Sequence, residues 1–177
     1  SRWRARYTIG IVVMAKKKIR RVILVVGEGQ TEKAFLNHLK SIFKGQSKVQ
    51  VKSAGGKGPD NVLNSALAEY RQGAFSEICI FMDNDLPIPA KLLKECDKKG
   101  IQIIKNEPCV EATFLMLLGQ KVPTHTNNNN KKKEFSKYTE SSTTCSNTYN
   151  NLFPAECYVE AVNVIPQIKK LQDFYLN

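Results

Sequence analysis

Acidic side chains follow predicted strands at three places in the chain, and carboxylates at strand ends are candidates for metal chemistry. Glu28 follows one apolar run, Asp83 and Asp85 follow another, and Glu111 lies just after a third. Because residues i and i+2 of an extended chain point the same way, Asp83 and Asp85 are expected to present two carboxylates side by side. Glycines on both sides of Glu28 allow a sharp turn that projects it over the sheet edge. The sequence therefore predicts one acidic site built from Glu28, Asp83 and Asp85.

The charge of such a site indicates which ion it would hold. Clustered carboxylates repel one another when they are partly buried, and a divalent cation relieves that repulsion. Oxygen ligands with no His or Cys nearby favour Mg²⁺ or Mn²⁺ over Zn²⁺. An ion of this kind can bind phosphate oxygens and activate water. The alternative is that these acids only cap helices or lie in loops, and Asp60 and Glu32 are assigned to that class.

Two further segments carry features suited to phosphate. The glycine-rich sequence at 55–58 could hold a phosphate with backbone N–H groups and a lysine. It lacks the spacing of a P-loop, so a plain turn is an equal alternative. The lysine run at 131–133 could contact a nucleic-acid backbone, although such runs are more often only solvated. The candidate phosphate or nucleic-acid contacts are Gly56, Lys57, Lys131, Lys132 and Lys133.

Apolar runs alternate with helical patterns over the first two thirds of the chain. Val22 to Val26 and Ile78 to Met82 are continuous apolar runs, as in strands that are buried on both faces. A short alternating strand near Val49 and another at Ile101 to Ile104, with helices between them, give the order β-α-β-α-β-α-β. This order predicts a single α/β domain with a mostly parallel sheet flanked by helices. In such sheets, binding sites lie at the carboxyl ends of the strands.

The chain divides by composition into four parts. Residues 1–13 precede Met14 and carry three arginines and no acid, which favours a leader or a cloning remnant over a signal peptide. Residues 14–118 form the predicted domain. Residues 119–134, rich in asparagine and lysine, are expected to be a flexible loop. Residues 135–177 are expected to form a C-terminal extension that packs on the domain, with a helical segment from about Pro154 to Phe174.

Composition also bears on partners and location. The net charge of +11 favours a polyanionic partner such as nucleic acid, although solubility alone is the simpler reading. The five cysteines are widely spaced and form no Cys-x-x-Cys pair, which indicates reduced thiols in a cytoplasmic protein. No apolar run reaches about 18 residues, so no membrane span is expected.

Three motifs resemble those of the Toprim family, and within it the RloB and OLD-like proteins. The sequence from Val25 to Glu32 is similar to the first Toprim motif, and Phe81 to Asp85 is similar to its Asp-x-Asp motif. Asn106 to Glu111 resembles an RloB-type segment, from which it departs by an additional Glu107 and by Thr113 in place of an aromatic residue. The resemblance covers about residues 20–118.

The resemblance implies a Mg²⁺-dependent enzyme that cuts phosphodiester bonds. By motif match, Glu28 would be a metal ligand or general acid/base, Asp83 and Asp85 would be metal ligands, and Glu111 would be a supporting catalytic acid. OLD-like and RloB-like proteins are associated with phage defence, often beside a separate ATPase. The alternatives are a non-catalytic Toprim module that binds nucleic acid or a partner ATPase, and a nucleotide-binding regulator that uses the glycine-rich sequence at 55–58.

Overall fold

The computed structural model describes residues 19–124 and 126–177, and the predicted leader at 1–13 lies outside the described residues. A four-stranded sheet forms the centre of the molecule, with every strand parallel to its neighbours and the spatial order β2-β1-β3-β4. The strands are β1 (Val22–Gly27), β2 (Lys48–Ser53), β3 (Glu77–Asp83) and β4 (Gln102–Asn106). The predicted single-domain α/β architecture with a parallel sheet is confirmed, and it is consistent with a Toprim-like fold.

Helices connect the strands and continue to the C-terminus. Their bounds are α1 (Gln30–Ile42), α2 (Gly58–Gln72), α3 (Ala90–Lys98), α4 (Val110–Leu117), α5 (Asn128–Ser136), α6 (Ser146–Leu152), α7 (Cys157–Val164) and α8 (Pro166–Leu176). The predicted final helical segment is divided into α7 and α8 at Pro166. Ile165, the residue before that proline, has an extended conformation, as the proline ring requires of its predecessor. No helix in the described ranges is long and apolar enough to cross a membrane.

The two faces of the sheet belong to two separate apolar cores. Ile23 and Val25 of β1 point into a core shared with α1 and with aromatic side chains from α4 to α8. Leu24 and Val26 point into a second core shared with α2 and α3. Burial on both sides explains why β1 is a continuous apolar run.

The chain crosses from one face of the sheet to the other between β1 and β3. The strands β2 and β3 lie on opposite sides of β1 in the sheet. The helix α1, which connects β1 to β2, packs on one face, whereas α2, which connects β2 to β3, packs on the other. A crevice forms outside the carboxyl ends of two strands where the connections diverge in this way, and ligands of open α/β sheets bind there.

The segment 119–134 is not a loop throughout, because residues 128–134 belong to α5. Asn127 caps this helix by accepting a hydrogen bond of 3.0 Å from the backbone N–H of Asn130. Phe135 is buried, with its ring centroid 5.0 Å from that of Phe114. The local composition predicts a loop because it is rich in asparagine and lysine. It does not show that Phe135 would be buried, and packing of such a residue stabilises a helix.

The C-terminal helices complete the core on the α1 face. The Tyr175 hydroxyl is buried and donates a hydrogen bond of 2.7 Å to the carbonyl oxygen of Leu36. On α1, His38 bonds through its two ring nitrogens to Asn150 and to Tyr158. Residues 135–177 are thus integral to the same hydrophobic core as α1.

Candidate metal centre

Three carboxylates meet at the crevice between β1 and β3. One oxygen from each of Glu28, Glu32 and Asp83 lies within 4.8 Å of the others. Glu28 follows β1 directly, Asp83 is the last residue of β3, and Glu32 lies in the first turn of α1. Oxygen atoms at this spacing from three carboxylates form the donor set that Mg²⁺ or Mn²⁺ prefers.

Backbone N–H groups orient each of these carboxylates. The N–H of Asp83 donates to Glu28 Oε2 at 2.9 Å, and the N–H of Gly29 donates to Glu32 Oε2 at 3.0 Å. The N–H of Val110, at the start of α4, donates to Asp83 Oδ1 at 2.8 Å. These bonds restrict the orientation of the three carboxylates.

Gly27 permits the close approach of α1 that brings Glu32 into the cluster. A Cβ atom added at Gly27 would lie 3.0 Å from Glu32 Cβ and 3.2 Å from the backbone nitrogen of Lys33. A Cβ at Gly29 would lie 3.3 Å from Glu32 Oε2. The sequence argument assigned these glycines to a sharp turn, but Gly29 has an extended φ of −142°. Their function in the structure is to leave room rather than to turn the chain.

Glu111 is a further acidic residue of this region, and it is buried. It is 9% exposed, and within the described part of the chain its Oε2 atom is buried without a hydrogen-bond partner. Its negative charge raises the pKa values of Asp83 and Glu28, which indicates that it lies close to both. A buried acceptor without a partner is costly, and each such atom in a native structure calls for a compensating group. A cation bound to the neighbouring carboxylates would provide that compensation.

Burial and mutual repulsion raise the proton affinity of the cluster. Burial raises the pKa of Asp83 to about 8, with further contributions from the charges of Glu32, Glu28 and Glu111. Burial is also the main cause that raises the pKa of Glu32 to about 7 and that raises the pKa of Glu28. Carboxylates held together in this way bind either protons or a cation at neutral pH.

Asp85 does not join the cluster, contrary to the sequence prediction. The strand β3 ends at Asp83 and the chain bends over the next residues, so positions 83 and 85 no longer alternate as in extended chain. Asp85 is exposed, and its Oδ2 atom accepts a hydrogen bond of 3.0 Å from Nδ2 of Asn128. The additional Glu107 is also exposed and bonds to the side chain of Asn84.

Glu32 is the site residue that sequence reasoning missed. It was assigned to helix capping, and it does cap α1 through its bond to the Gly29 N–H. That same bond turns its carboxylate back toward Glu28. The capping pattern could have identified it, because an acid at the third helical position returns to the residue before the helix, which here lies beside Glu28.

The glycine-rich sequence lies next to the cluster. Residues 55–58 all have positive φ values, between 69° and 83°, and Lys57 among them is exposed. The N–H of Gly56 donates a hydrogen bond of 2.8 Å to the carbonyl oxygen of Glu28. This bond holds the turn at the same edge of the sheet as the carboxylates.

The three lysines of the run at 131–133 differ in their environments. Lys131, predicted to contact nucleic acid, is only 5% exposed, and its Nζ donates to the carbonyl oxygen of Thr126 at 2.8 Å. Its position on the inner face of α5 therefore removes it from the predicted contact set. Lys132 and Lys133 are exposed. The charge of Lys132 partly offsets the burial that raises the pKa of Glu28.

Comparisons with known proteins return no match to this chain: no family model fits it, and no curated protein or solved structure matches it. The features that bear on its function are therefore the carboxylate cluster, the position of that cluster in the fold and the motif residues.

Proposed function

We propose that this protein is a Mg²⁺- or Mn²⁺-dependent nuclease of the Toprim type, similar to the RloB and OLD-like proteins. The observation that carries the proposal is the convergence of Glu28, Glu32 and Asp83 at the crevice between β1 and β3. The buried Glu111 oxygen beside them, which has no hydrogen-bond partner in the described ranges, supports a cation at this place.

The residues have distinct tasks in this proposal. Glu28, Glu32 and Asp83 would hold the ion, and backbone hydrogen bonds restrict the orientation of each carboxylate. A bound Mg²⁺ supplies Lewis acidity toward a phosphoryl oxygen. Glu28 would also accept a proton from an attacking water. Glu111 would add negative charge near the ion.

Positive charge favours nucleic acid as the substrate. The chain has a net charge of +11, and Lys57, Lys132 and Lys133 are exposed. Lys57 follows Gly56, whose N–H is bonded to the carbonyl oxygen of Glu28. Lysine ammonium groups bind phosphates as point charges. Membership of a phage-defence system and a separate ATPase partner belong to the same proposal, since the family resemblance implies them. A cytoplasmic location is proposed from the widely spaced cysteines.

Metal binding and cleavage test the proposal together. Mn²⁺ binding is measured by calorimetry, and cleavage of labelled double-stranded DNA, single-stranded DNA and RNA is measured with Mg²⁺, with Mn²⁺ and with EDTA. We expect cleavage that EDTA abolishes and that Asp83→Asn removes. Asp60→Asn is the matched control, because Asp60 is an exposed acid in the first turn of α2. Salt-sensitive nucleic-acid binding without cleavage would instead indicate a non-catalytic module.

A further inference from the structure

The segment that follows Glu32 is basic along its whole length. Positions 33–59 carry six lysines and no aspartate, glutamate or arginine, and they cover most of α1, all of β2 and the glycine-rich sequence. The lysines are Lys33, Lys40, Lys44, Lys48, Lys52 and Lys57. Surfaces that serve solubility alone mix charges of both signs, as α3 does by placing Glu95 and Asp97 among its lysines. A segment of one sign indicates a partner of the opposite sign.

Two of these lysines lie on the side of α1 that faces away from the core. Counted at about 100° per residue, Lys33 and Lys40 lie opposite Phe35, which is fully buried. Lys40 is exposed and Lys33 is half-buried. Lys44 is exposed just beyond the end of the helix. We call Lys33, Lys40 and Lys44 the basic face of α1.

No acidic side chain forms an ion pair with the basic face in the described part of the chain. The cations of the ion pairs found there are Arg21, Lys52, Lys137 and Lys169. Burial and the positive charges of Lys48 and Lys33 lower the pKa of Lys40, so like charges act on its ammonium group. A polyanion relieves such repulsion, and release of its own counterions favours the binding.

The basic face begins at the metal centre. Lys33 follows Glu32, one of the three clustered carboxylates, and its backbone N–H donates a hydrogen bond of 3.1 Å to the carbonyl oxygen of Gly29. Because α1 connects the parallel strands β1 and β2, it runs from their carboxyl ends back toward their amino ends. At a rise of 1.5 Å per residue, Lys40 lies about 10 Å beyond Lys33 along the helix axis. A strand of nucleic acid at the metal centre can therefore continue along these lysines.

We propose that the basic face of α1 binds the phosphate backbone of a nucleic-acid substrate on one side of the bond that is cut. The choice of nucleic acid as the polyanion rests on the nuclease function proposed above. Lysine ammonium groups bind phosphates as point charges, and phosphate contacts carry no sequence information. The basic face therefore adds affinity for every sequence to the same extent.

The salt dependence of binding counts the phosphate contacts. Binding of labelled double-stranded DNA, single-stranded DNA and RNA is measured by fluorescence anisotropy in EDTA, because the lysine contacts do not require the ion. Replacing Lys33 and Lys40 together by glutamine should weaken binding and should lower the slope of log Kd against log salt by about 1.8 for duplex DNA or about 1.4 for a single strand. Adding Lys44→Gln should lower the slope once more by the same amount per lysine.

The matched control replaces Lys91 and Lys98 together by glutamine. These exposed lysines are also seven positions apart on one helix, α3, which packs on the opposite face of the sheet. The control removes the same charge from the protein and should keep the wild-type slope. A loss of affinity that follows net charge alone would be equal in the two double variants.

Cleavage gives a second readout. The basic face contacts the substrate away from the reacting phosphate, so it contributes equally to binding of the substrate and of the transition state. The variant of Lys33 and Lys40 should therefore have a raised KM and a kcat within about twofold of wild type.

The proposal is overturned if the variant of Lys33 and Lys40 keeps the wild-type slope and Kd, or if the α3 control loses as much as that variant does. It is also overturned if the wild type does not bind nucleic acid in EDTA, and lysine-dependent binding to phosphatidylserine vesicles in its place would assign the basic face to a membrane surface. If nucleic acid binds through these lysines but the wild type neither binds Mn²⁺ nor cleaves, the nuclease function fails and the backbone-binding face stands.

Discussion

The backbone N–H of Asp83 donates a hydrogen bond of 2.9 Å to Oε2 of Glu28, which joins the end of β3 to the residue that follows β1. The chain returns a second bond at the same place, from the N–H of Glu28 to the carbonyl oxygen of Phe81 at 3.1 Å. Glu28 is therefore fixed relative to β3 through both its backbone and its side chain. The pairing of β1 with β3 therefore holds the carboxylates of Glu28 and Asp83 close together. Their repulsion lowers the stability of the folded protein, and a bound cation would remove it.

Asp83→Asn should stabilise the metal-free protein and remove its response to metal. Asparagine keeps the acceptor for the Val110 N–H and is neutral, whereas the buried carboxyl of Asp83 must either take up a proton or repel Glu32 and Glu28. We expect Tm without metal to rise by about 2–4 °C, the shift that about 1 kcal/mol produces in a domain of this size. Saturating Mg²⁺ should raise Tm of the wild type and leave the variant nearly unchanged. Calorimetric melting with and without Mg²⁺ measures both effects.

The control for this comparison is Asp60→Asn, which should respond to Mg²⁺ as the wild type does. Equal stabilisation of the wild type and Asp83→Asn by Mg²⁺ would show that Asp83 is not a ligand.

Glu111→Gln should weaken metal binding without disrupting the fold. The amide has nearly the shape of the carboxylate but lacks the negative charge that acts on Asp83 and Glu28. Loss of a supporting group next to the ligands should raise the Kd for Mn²⁺ by about tenfold or more. Calorimetric titration with Mn²⁺ tests this, and Glu160→Gln, an exposed acid of α7, is the control. Unchanged affinity in Glu111→Gln would remove Glu111 from the site.

The stability of the metal-free protein should depend on pH through this cluster. The folded-state pKa values of Asp83, about 8, and Glu32, about 7, lie above their ordinary values of 3.8 and 4.5. The folded protein therefore binds more protons than the unfolded chain between about pH 4 and pH 8, so the contribution of these groups to stability falls as the pH rises through that range.

Two melting series measure this dependence. The Tm of Asp83→Asn should exceed that of the wild type by a margin that grows from pH 5 to pH 8. The reason is that protonation of Asp83 in the folded wild type becomes less favourable as the pH rises. The gain that Mg²⁺ gives the wild type should also be larger at pH 8 than at pH 6, since protons compete with the ion for the same oxygens. A Tm difference that stays constant over this range would contradict the raised pKa of Asp83.

The sequence predicted the sheet and two of the three clustered carboxylates, and the reasons for each outcome are local. The strand β1 could be recognised because a strand buried on both faces is apolar at every position. Glu28 and Asp83 could be placed together because both follow such strands. Asp85 was misplaced because the i, i+2 rule applies only while the chain stays extended, and β3 ends at Asp83.

What the sequence missed depends on contacts between distant segments. Glu32 joins the cluster because Gly27 lets α1 lie close to β1. The distance between a helix and a strand cannot be read from the spacing of residues in the sequence. The helix α5 forms in an asparagine- and lysine-rich segment because Phe135 packs on Phe114, 21 positions earlier in the chain. Lys131 is withdrawn from solvent for the same reason, although it has the same neighbours in sequence as two exposed lysines.

Gly27→Ala should damage the metal centre more than it damages the fold. The added methyl group would lie 3.0 Å from Glu32 Cβ and 3.2 Å from the Lys33 nitrogen, so α1 must move away from β1 and take the Glu32 carboxylate with it. Overpacking of this kind destabilises a protein by about 1–3 kcal/mol. Gly45→Ala is the matched control, because its methyl group would lie 2.7 Å from the Tyr175 carbonyl oxygen, at a contact between the end of α1 and α8. Urea denaturation should show a similar loss of stability in both variants, whereas Mn²⁺ titration should show weakened binding in Gly27→Ala alone. Equal Mn²⁺ affinity in the two variants would mean that the position of Glu32 does not matter for the ion, and the centre would then depend on Glu28 and Asp83.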